Sequence, residues 1–424
     1  MEVNHVIIAI GIFLTTYIII VSEKIDRTVI ALVGASMLLL THVMSQEKAI
    51  EFIDFNTIGL LIGMMIIVNI LKRTGVFGYL AIKAAKSVKG EPWKIIVVFS
   101  IFTALSSALL DNVTTILLIV PITLVIVDTL ETNPIPFIIP LVLMSNIGGT
   151  ATLIGDPPNI MIGSATGLGF MDFLLNLAPV VVIIFIVVIF VFKLMYKNSM
   201  SISDEKREDI MALDENLAIK DIILLKKSLV VLGITMFGFI IHQYVHLESA
   251  SVALIGASLL LLVSNVEPED VLLEVEWPTI FFFSALFILV GGLEHVGVIE
   301  YLAGHMIALT NGDLFWLAIL ILWGSAIASA FLDNIPFVAT MIPLIKSIEL
   351  MSPVSISPLW WALALGACLG GNGTLVGASG NVIVSGMLEK HGNKLGFFRF
   401  MKVGFPIMIL TVAISTVYLI LFYI

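Results

Sequence analysis

The chain contains an internal repeat, and this feature limits its possible folds more than any other. Residues 31–36 return almost unchanged as residues 253–258, at a shift of 222 positions. The same shift relates further segments, namely Leu110-Asp111-Asn112 to Leu332-Asp333-Asn334, Pro121 to Pro343, Gly148-Gly149 to Gly370-Gly371, and Asn159 to Asn381. We infer that one unit has been duplicated, and we expect both copies to contain the same order of elements.

A polar segment separates the two copies. It contains the charge run Ser203-Asp204-Glu205-Lys206-Arg207-Glu208-Asp209. The expected organisation is a first repeat over residues 1–197, a cytoplasmic linker over residues 198–227 and a second repeat over residues 228–424.

The composition indicates a membrane protein. Of the 424 residues, 59% are hydrophobic and 12% are charged, against about 45–50% and about 25% in soluble domains. One globular core could not bury so much apolar surface, so we predict an all-α polytopic membrane protein in contact with the lipid bilayer. The net charge of −10 comes without a basic stripe, so nucleic acid is not an expected partner.

One apolar stretch in each copy predicts a re-entrant helical hairpin. Residues 95–127 and 314–345 each contain a single charge near the middle, Asp111 or Asp333. Half of such a stretch, about 16 residues, reaches only about 24 Å, less than a hydrocarbon core of ~30 Å. A hairpin adds an even number of crossings, so hydropathy gives each copy five net crossings. An odd number places the copies in opposite orientations, as in the inverted repeats of secondary transporters.

The distribution of basic residues supports this layout. It places 19 of the 21 Lys and Arg residues on one face and leaves Lys48 and Lys346 on the other. Basic residues concentrate on the cytoplasmic side of membrane proteins. We therefore expect a multi-pass protein of the plasma membrane whose termini are both extracytoplasmic.

Three carboxylates at membrane depth point to an ion site. Asp111, Asp156 and Asp333 each cost roughly 2.5–3.5 kcal/mol to insert into a bilayer. Asp111 and Asp333 are repeat-related and are followed by Asn112 and Asn334, whose oxygens suit a hard cation. We therefore expect either a Na⁺ site at these four residues or a carboxylate that exchanges a proton. The alternative is that these aspartates only cap helices beside a wet vestibule.

The fourth apolar segment of each copy is interrupted by glycines, hydroxyls and amides. Such residues break a helix, which is tolerated at membrane depth where the backbone lines a cavity. The alternative is close helix packing through glycine. Together with the hairpin tips, the predicted binding set is Asp111, Asn112, Thr114, Asn146, Gly148, Gly149, Thr152, Asp156, Asn159, Asp333, Asn334, Gly370, Gly371, Asn372, Thr374, Ser379 and Asn381. Apart from a coupling H⁺ or Na⁺, no cofactor and no metal is expected.

Four segments carry a family resemblance. They are Leu109–Thr115, Asn146–Asn159, Phe331–Phe337 and Gly366–Ser379. In order along the chain they resemble the signature segments of the ion transporter superfamily, most closely its arsenite permease and NhaD-type antiporter branch, which includes the animal P protein. The resemblance implies a scaffold domain, a transport domain with two hairpins and two broken helices, a homodimer and elevator-type movement.

The resemblance also bears on cargo. Dicarboxylate carriers of the superfamily have Ser-Asn-Thr at the hairpin tip, whereas this chain has Leu-Asp-Asn at both tips. This departure argues against a citrate-like substrate. We therefore expect a secondary active ion transporter, coupled to protons or sodium, that exports arsenite, antimonite or another inorganic anion.

Several alternatives remain open at this point. A Na⁺/H⁺ antiporter would use the three carboxylates directly, and a passive anion channel or an organic anion carrier would use the same residues. An intramembrane aspartyl protease would pair Asp111 with Asp333, although no Gly-x-Gly-Asp segment accompanies them. The chain has no nucleotide-binding motif, so ATP would require a separate ATPase subunit.

Overall fold

The structure is a computed structural model that describes residues 3–22, 24–196, 204–351 and 356–424. Within these ranges the regular structure consists of α-helices and two short 3-10 helices, without a strand. The prediction of an all-helical polytopic chain is confirmed over this part of the sequence.

The helices fall into two sets joined by a short linker. The first set comprises α1 (Val3–Ser22), α2 (Arg27–Leu40), α3 (Gln46–Glu51), α4 (Phe55–Arg73), α5 (Val76–Ser87), α6 (Pro92–Leu109), α7 (Asn112–Thr129), α8 (Ile135–Gly149), α9 (Pro157–Thr166) and α10 (Phe170–Tyr196). The linker contains α11 (Asp204–Ala212) and a 3-10 helix, Glu215–Ala218. The second set comprises α12 (Ile222–Ile241), α13 (Ser249–Ser264), α14 (Pro268–Leu273), α15 (Trp277–His295), α16 (Val298–Thr310), α17 (Leu314–Phe331), α18 (Asn334–Met351), α19 (Ser357–Gly370), a 3-10 helix at Leu375–Gly377, α20 (Ser379–Lys390) and α21 (Phe397–Phe422).

The order of elements recurs between the sets. Helices α4, α6 and α7 match α15, α17 and α18 with both ends shifted by 222 residues. The start of α8 and the start of α9 match those of α19 and α20 at the same shift. The duplication seen in the sequence thus extends to the elements and to their boundaries.

Ten helices among the described residues have the length and hydropathy needed to cross a membrane. Each arm of the two expected hairpins, α6, α7, α17 and α18, is one of these ten and contains 18 residues. An 18-residue helix spans about 27 Å. The arms are therefore longer than the half-stretches expected from hydropathy and approach the thickness of the hydrocarbon core.

Close helix packing holds each hairpin against its broken helix. Helix α6 packs on α8, and α17 packs on α19. A Cβ atom at Gly148 or Gly370 would collide with the carbonyl oxygen of Ala104 or Ala326, respectively, at repeat-related positions. Glycine is needed here because the two backbones approach so closely.

The two sets also pack against each other. Helix α2 packs on α15 and α4 packs on α13, while α7 contacts α20 and α9 contacts α18. The helix breaks of both sets therefore meet in the interior of the molecule, where the residues around them are buried.

Candidate functional site

Each hairpin turns through two residues that separate its two helices. Helix α6 ends at Leu109 and α7 begins at Asn112, with Leu110 and Asp111 between them. Leu332 and Asp333 occupy the same place between α17 and α18. Both aspartates thus precede a helix N-terminus, where a carboxylate can accept from free backbone N–H groups.

Asp111 acts as a helix cap. The backbone N–H of Thr114 donates to Asp111 Oδ1 at 2.7 Å, and the Thr114 hydroxyl donates to Asp111 Oδ2. Both carboxylate oxygens are therefore engaged within the first turn of α7. The capping alternative considered from the sequence describes the geometry of this residue.

Asp333 has a different set of partners. Its Oδ1 accepts from the backbone N–H of Ile335 at 3.2 Å. Its Oδ2 lies 2.5 Å from Nη1 of Arg27 and 2.8 Å from the hydroxyl of Ser379. Arg27 Nη1 also donates to Ser379 Oγ at 2.7 Å. One tip therefore contains a self-contained cap, and the other contains an ion pair with α2.

The helix breaks are held open by repeat-related amides. Asn159 Nδ2 donates to the carbonyls of Thr150 and Thr152, at 3.2 and 2.9 Å. Asn381 Nδ2 donates to the carbonyls of Gly371 and Thr374, at 2.8 and 2.9 Å. These bonds supply donors to carbonyls at the points where the helices are interrupted, and the Thr374 carbonyl also accepts from the backbone N–H of Gly377 at 3.3 Å.

Hydroxyl groups join each break to its hairpin. Thr152 donates to the carbonyl of Ala108 and Thr374 to that of Ala330, both at 2.5 Å. Gly149 and Gly371 approach the second part of the break, close to Gly155 and Gly377, respectively. At the breaks, the predicted glycines thus allow close packing of the backbone, and the predicted threonines donate hydrogen bonds to backbone carbonyls.

Buried amides connect the two copies at the centre of the molecule. Asn146 Nδ2 donates to Asn372 Oδ1 at 2.9 Å and to Asn381 Oδ1 at 3.2 Å. Asn112 Nδ2 donates to Asn146 Oδ1 at 3.1 Å. These four side chains are at most 4% exposed. They form a continuous polar network, which we call the amide cluster.

Asp156 lies beside the amide cluster and is fully buried. Asn334 Nδ2 lies 3.3 and 3.4 Å from its two oxygens, and Asn112 Nδ2 lies 3.4 Å from Oδ1. Among the described residues no Lys, Arg or His forms an ion pair with it. A buried carboxylate without a cation needs a proton or a bound ion to offset its desolvation.

The structure therefore divides the three predicted carboxylates. Asn112 and Asn334, one from each hairpin tip, approach Asp156, while Asp111 and Asp333 have separate partners. No group of three or more His, Cys, Asp or Glu that could hold a metal ion occurs in the described ranges.

Two kinds of site residue were missed from the sequence. Ser107 and Ser329 donate to the carbonyls of Ser145 and Ala367, each at 2.6 Å. The repeat shift relates these serines, so a systematic alignment of the copies would have found them. Arg27 was considered only as a marker of topology, because its partner lies 306 positions away.

In the described part of the chain, ten apolar helices, a buried polar centre and paired hairpins with broken helices form the architecture of a multi-pass membrane transporter. The chain belongs to the citrate transporter family (CitMHS), whose model matches residues 17–366. The family is described as one of citrate transporters, and relatives that match over nearly the whole chain are named transporters, so the protein is a transporter and not an enzyme. Asp111 and Asp333 are accordingly not a protease pair.

The relatives extend over the whole chain. An uncharacterized transporter of Mycobacterium bovis is 42% identical over 97% of both chains. The human P protein is 34% identical over 98% of this chain and 60% of its own length. The expected likeness to P protein is thus confirmed, whereas membership of the arsenite permease and NhaD-type branch stays a prediction.

A solved structure has the same fold. The YdaH transporter of Alcanivorax borkumensis superposes with a TM-score of 0.64 over 99% of both chains, at 12% identity. This likeness concerns the fold alone. The family description, in contrast to the expectation from the hairpin tips, leaves a citrate-like organic anion among the candidate cargoes.

Proposed function

We propose that the protein is a secondary active ion transporter in which Asp156 exchanges the coupling ion, H⁺ or Na⁺. The observation that carries this proposal is a fully buried carboxylate that has amide donors but no ion-pair partner in the described chain. Ionisable groups at membrane depth are expensive and commonly mark ion pathways. A proton or a cation bound to Asp156 would neutralise the charge of its buried carboxylate.

The two coupling ions would use the site differently. A proton needs only one oxygen of Asp156, and the amides of Asn112 and Asn334 could remain where they are. Sodium is a hard cation that binds oxygen ligands. It would require both amides to turn their oxygens toward Asp156, which would also break the bond from Asn112 to Asn146.

We propose alternating access as the mechanism. The hairpins and broken helices of the two copies would form the transport domain, and the remaining membrane helices would form the scaffold of a homodimer. Opposite orientation of the two copies in the plasma membrane, with both termini outside the cytoplasm, fits the basic residue asymmetry. Elevator-type movement would then expose Asp156 to each side in turn.

The motif resemblance and the family description suggest different cargoes. Arsenite, antimonite or another inorganic anion follows from the motif resemblance, and a citrate-like anion follows from the family description. Na⁺/H⁺ antiport is a second candidate function, because Asp156 alone could carry both ions in competition. No additional ATPase subunit is required by a mechanism of this kind.

The test is an ion panel on purified protein in liposomes that contain a pH-sensitive dye. Sodium, lithium, arsenite, antimonite, chloride and citrate are added in turn, with and without an imposed pH gradient and an imposed sodium gradient. We expect at least one ion to move in a way that depends on one of these gradients. Equal flux under all gradients for every responding ion would instead identify a passive channel.

A further inference from the structure

A cavity of about 400 Å³ adjoins the tip of the second hairpin. Its walls come from the end of α1, the start of α2, the tip between α17 and α18, and the start of α20. Most of the lining is apolar, and the polar exceptions are Asp26, Arg27, Asp333 and Ser379. A mostly apolar cavity with a few convergent polar groups is the usual form of a small-molecule site.

Within the part of the chain that the structure describes, only one nitrogen of the Arg27 guanidinium donates side-chain hydrogen bonds. Its two side-chain hydrogen bonds, to Asp333 and Ser379, both come from Nη1. Nη2 and Nε have no hydrogen-bond partner within the described ranges, and the Arg27 side chain is 30% exposed. A guanidinium presents five donors in a planar fork that matches carboxylates and other oxyanions. Arg27 therefore has spare donors beside a cavity.

Among the described residues, the first hairpin tip has no repeat-related counterpart of this arrangement. The repeat shift places Ser249 opposite Arg27, and Pro157 opposite Ser379. Asp111, the counterpart of Asp333, has both oxygens occupied by Thr114. Arg27 thus has no basic residue at its repeat-related position, so it does not follow from the shared architecture of the two hairpins.

We propose that Arg27 is the residue that selects the cargo, and that it binds an ionised carboxylate or another oxyanion in this cavity in place of Asp333. This inference rests on the proposed transport function and deepens it. Asp333 is an internal carboxylate on the same guanidinium and acts as a competitor of the cargo. Ser379, already 2.7 Å from Arg27, would donate its hydroxyl to either anion.

The exchange has a mechanical consequence. The Arg27–Asp333 bond joins α2 to the tip of the second hairpin, and a cargo anion that replaces Asp333 would release this tip. Cargo binding would thereby free the hairpin to move relative to α2. Arsenous acid is largely neutral at pH 7 and would not displace a carboxylate from a guanidinium.

The experiment measures anion binding to purified full-length protein by calorimetry, with citrate, phosphate and arsenite as separate probes. Arg27→Gln is expected to weaken binding of the recognised anion about tenfold or more. Asp333→Asn is expected to strengthen it several-fold, because the competing carboxylate is gone. Arg27→Gln/Asp333→Asn should bind as weakly as Arg27→Gln. Arg73→Gln, which removes an ion pair with Glu274 outside this cavity, is the matched control and should bind like the wild type.

The outcomes separate this inference from the proposed function. If the ion pair is only structural, Arg27→Gln and Asp333→Asn will weaken binding alike, and the inference is overturned. It is equally overturned if neither the wild type nor Asp333→Asn binds citrate or phosphate, or if arsenite binds without regard to Arg27. Gradient-dependent flux of sodium or protons in the same preparation would then leave the proposed function standing.

Discussion

Asn146 donates its side-chain amide to Asn372 across a distance of 2.9 Å, and this bond joins the helix break of one copy to that of the other. Both residues are at most 1% exposed. The repeat shift does not relate them to each other, since Cys368 is the counterpart of Asn146. The two copies therefore meet through an asymmetric contact at the centre of the site.

Because of this asymmetry, the repeat-related residues Asn146 and Cys368 contact different partners. Cys368 lies with its Sγ 3.6 Å from Asn159 Oδ1, so it contacts the amide that holds the first break. Asn146 contacts Asn381, which holds the second break. Each break is thus contacted by a residue from the opposite copy, so both copies contribute to the polar network at the centre.

We expect a double-mutant cycle to detect this dependence. Asn146→Ala and Asn372→Ala should each lower the free energy of unfolding by about 1–3 kcal/mol, because each leaves buried amide groups without a partner. The double variant should show a coupling energy of at least about 0.5 kcal/mol. Denaturation of the purified protein by SDS measures these values. Asn4→Ala, at an exposed position in α1, is the control, and a coupling energy near zero would refute the link.

Much of the fold could be predicted from the sequence because the repeat shift aligns whole elements. The shift of 222 residues that relates Asp111 to Asp333 also relates the observed ends of α6 and α7 to those of α17 and α18. Hydropathy located the hairpins but gave arms that were too short. The apolar run of the first hairpin covers residues 95–127, whereas its helices also include Trp93, Lys94 and Asp128 beyond the ends of that run.

The site was predicted as a set of residues but not as a set of contacts. Position along the chain identified Asp111, Asp156 and Asp333 without showing which two would already have partners. That distinction depends on Thr114, three positions from Asp111, and on Arg27, which reaches Asp333 across 306 positions. A contact between residues so far apart along the chain cannot be inferred from one sequence.

The capping geometry of Asp111 makes a prediction that differs from an ion-site role. Asparagine caps a helix about as well as aspartate, so Asp111→Asn should retain both stability and coupled transport. Asp111→Ala should lose about 1 kcal/mol of stability, since the Thr114 N–H would lose its acceptor. Thermal unfolding and gradient-driven flux measure the two effects. A stable Asp111→Asn protein without coupled transport would restore Asp111 as part of the ion site.

The proposed topology predicts which positions can be labelled from outside the cell. In a Cys368→Ser background, a cysteine at exposed Asn4 should react with an impermeant maleimide added to intact cells. A cysteine at exposed Glu208, in the charged linker, should react only after permeabilisation. Labelling of position 208 in intact cells would contradict the cytoplasmic placement of the linker.

Ion pairs contribute to the attachment of the linker to the membrane part, so acid should loosen this attachment. Lys86 Nζ lies 2.5 Å from Glu215 Oε2, and its hydrogen bond lowers the pKa of Glu215. A lowered carboxylate pKa means that this attraction is complete above the ordinary glutamate pKa and is lost as pH falls through the lowered value. A nitroxide at exposed Met211, in a Cys368→Ser background, should become more mobile over that acidic range.

Glu215→Gln provides the control for this prediction. In the Glu215→Gln variant, the nitroxide at position 211 should already be more mobile at neutral pH. Acid should then increase its mobility by less than in the parent protein. The remainder would come from the pair of Lys206 with Glu131, which also contacts the linker. An identical acid transition in Glu215→Gln and the parent protein would show that Glu215 does not hold the linker.

The central claim is that Asp156 carries the coupling ion, and one comparison tests it most directly. Purified wild type, Asp156→Asn and Asp270→Asn are placed in liposomes, and flux of the responding ion is recorded with and without the gradient that drives it. Asp270 is exposed in α14 and serves as the matched control. We expect Asp156→Asn to remain folded, because asparagine removes a buried charge without opening a cavity, yet to lose gradient-dependent flux. Gradient-driven flux at the wild-type rate in Asp156→Asn would contradict the account.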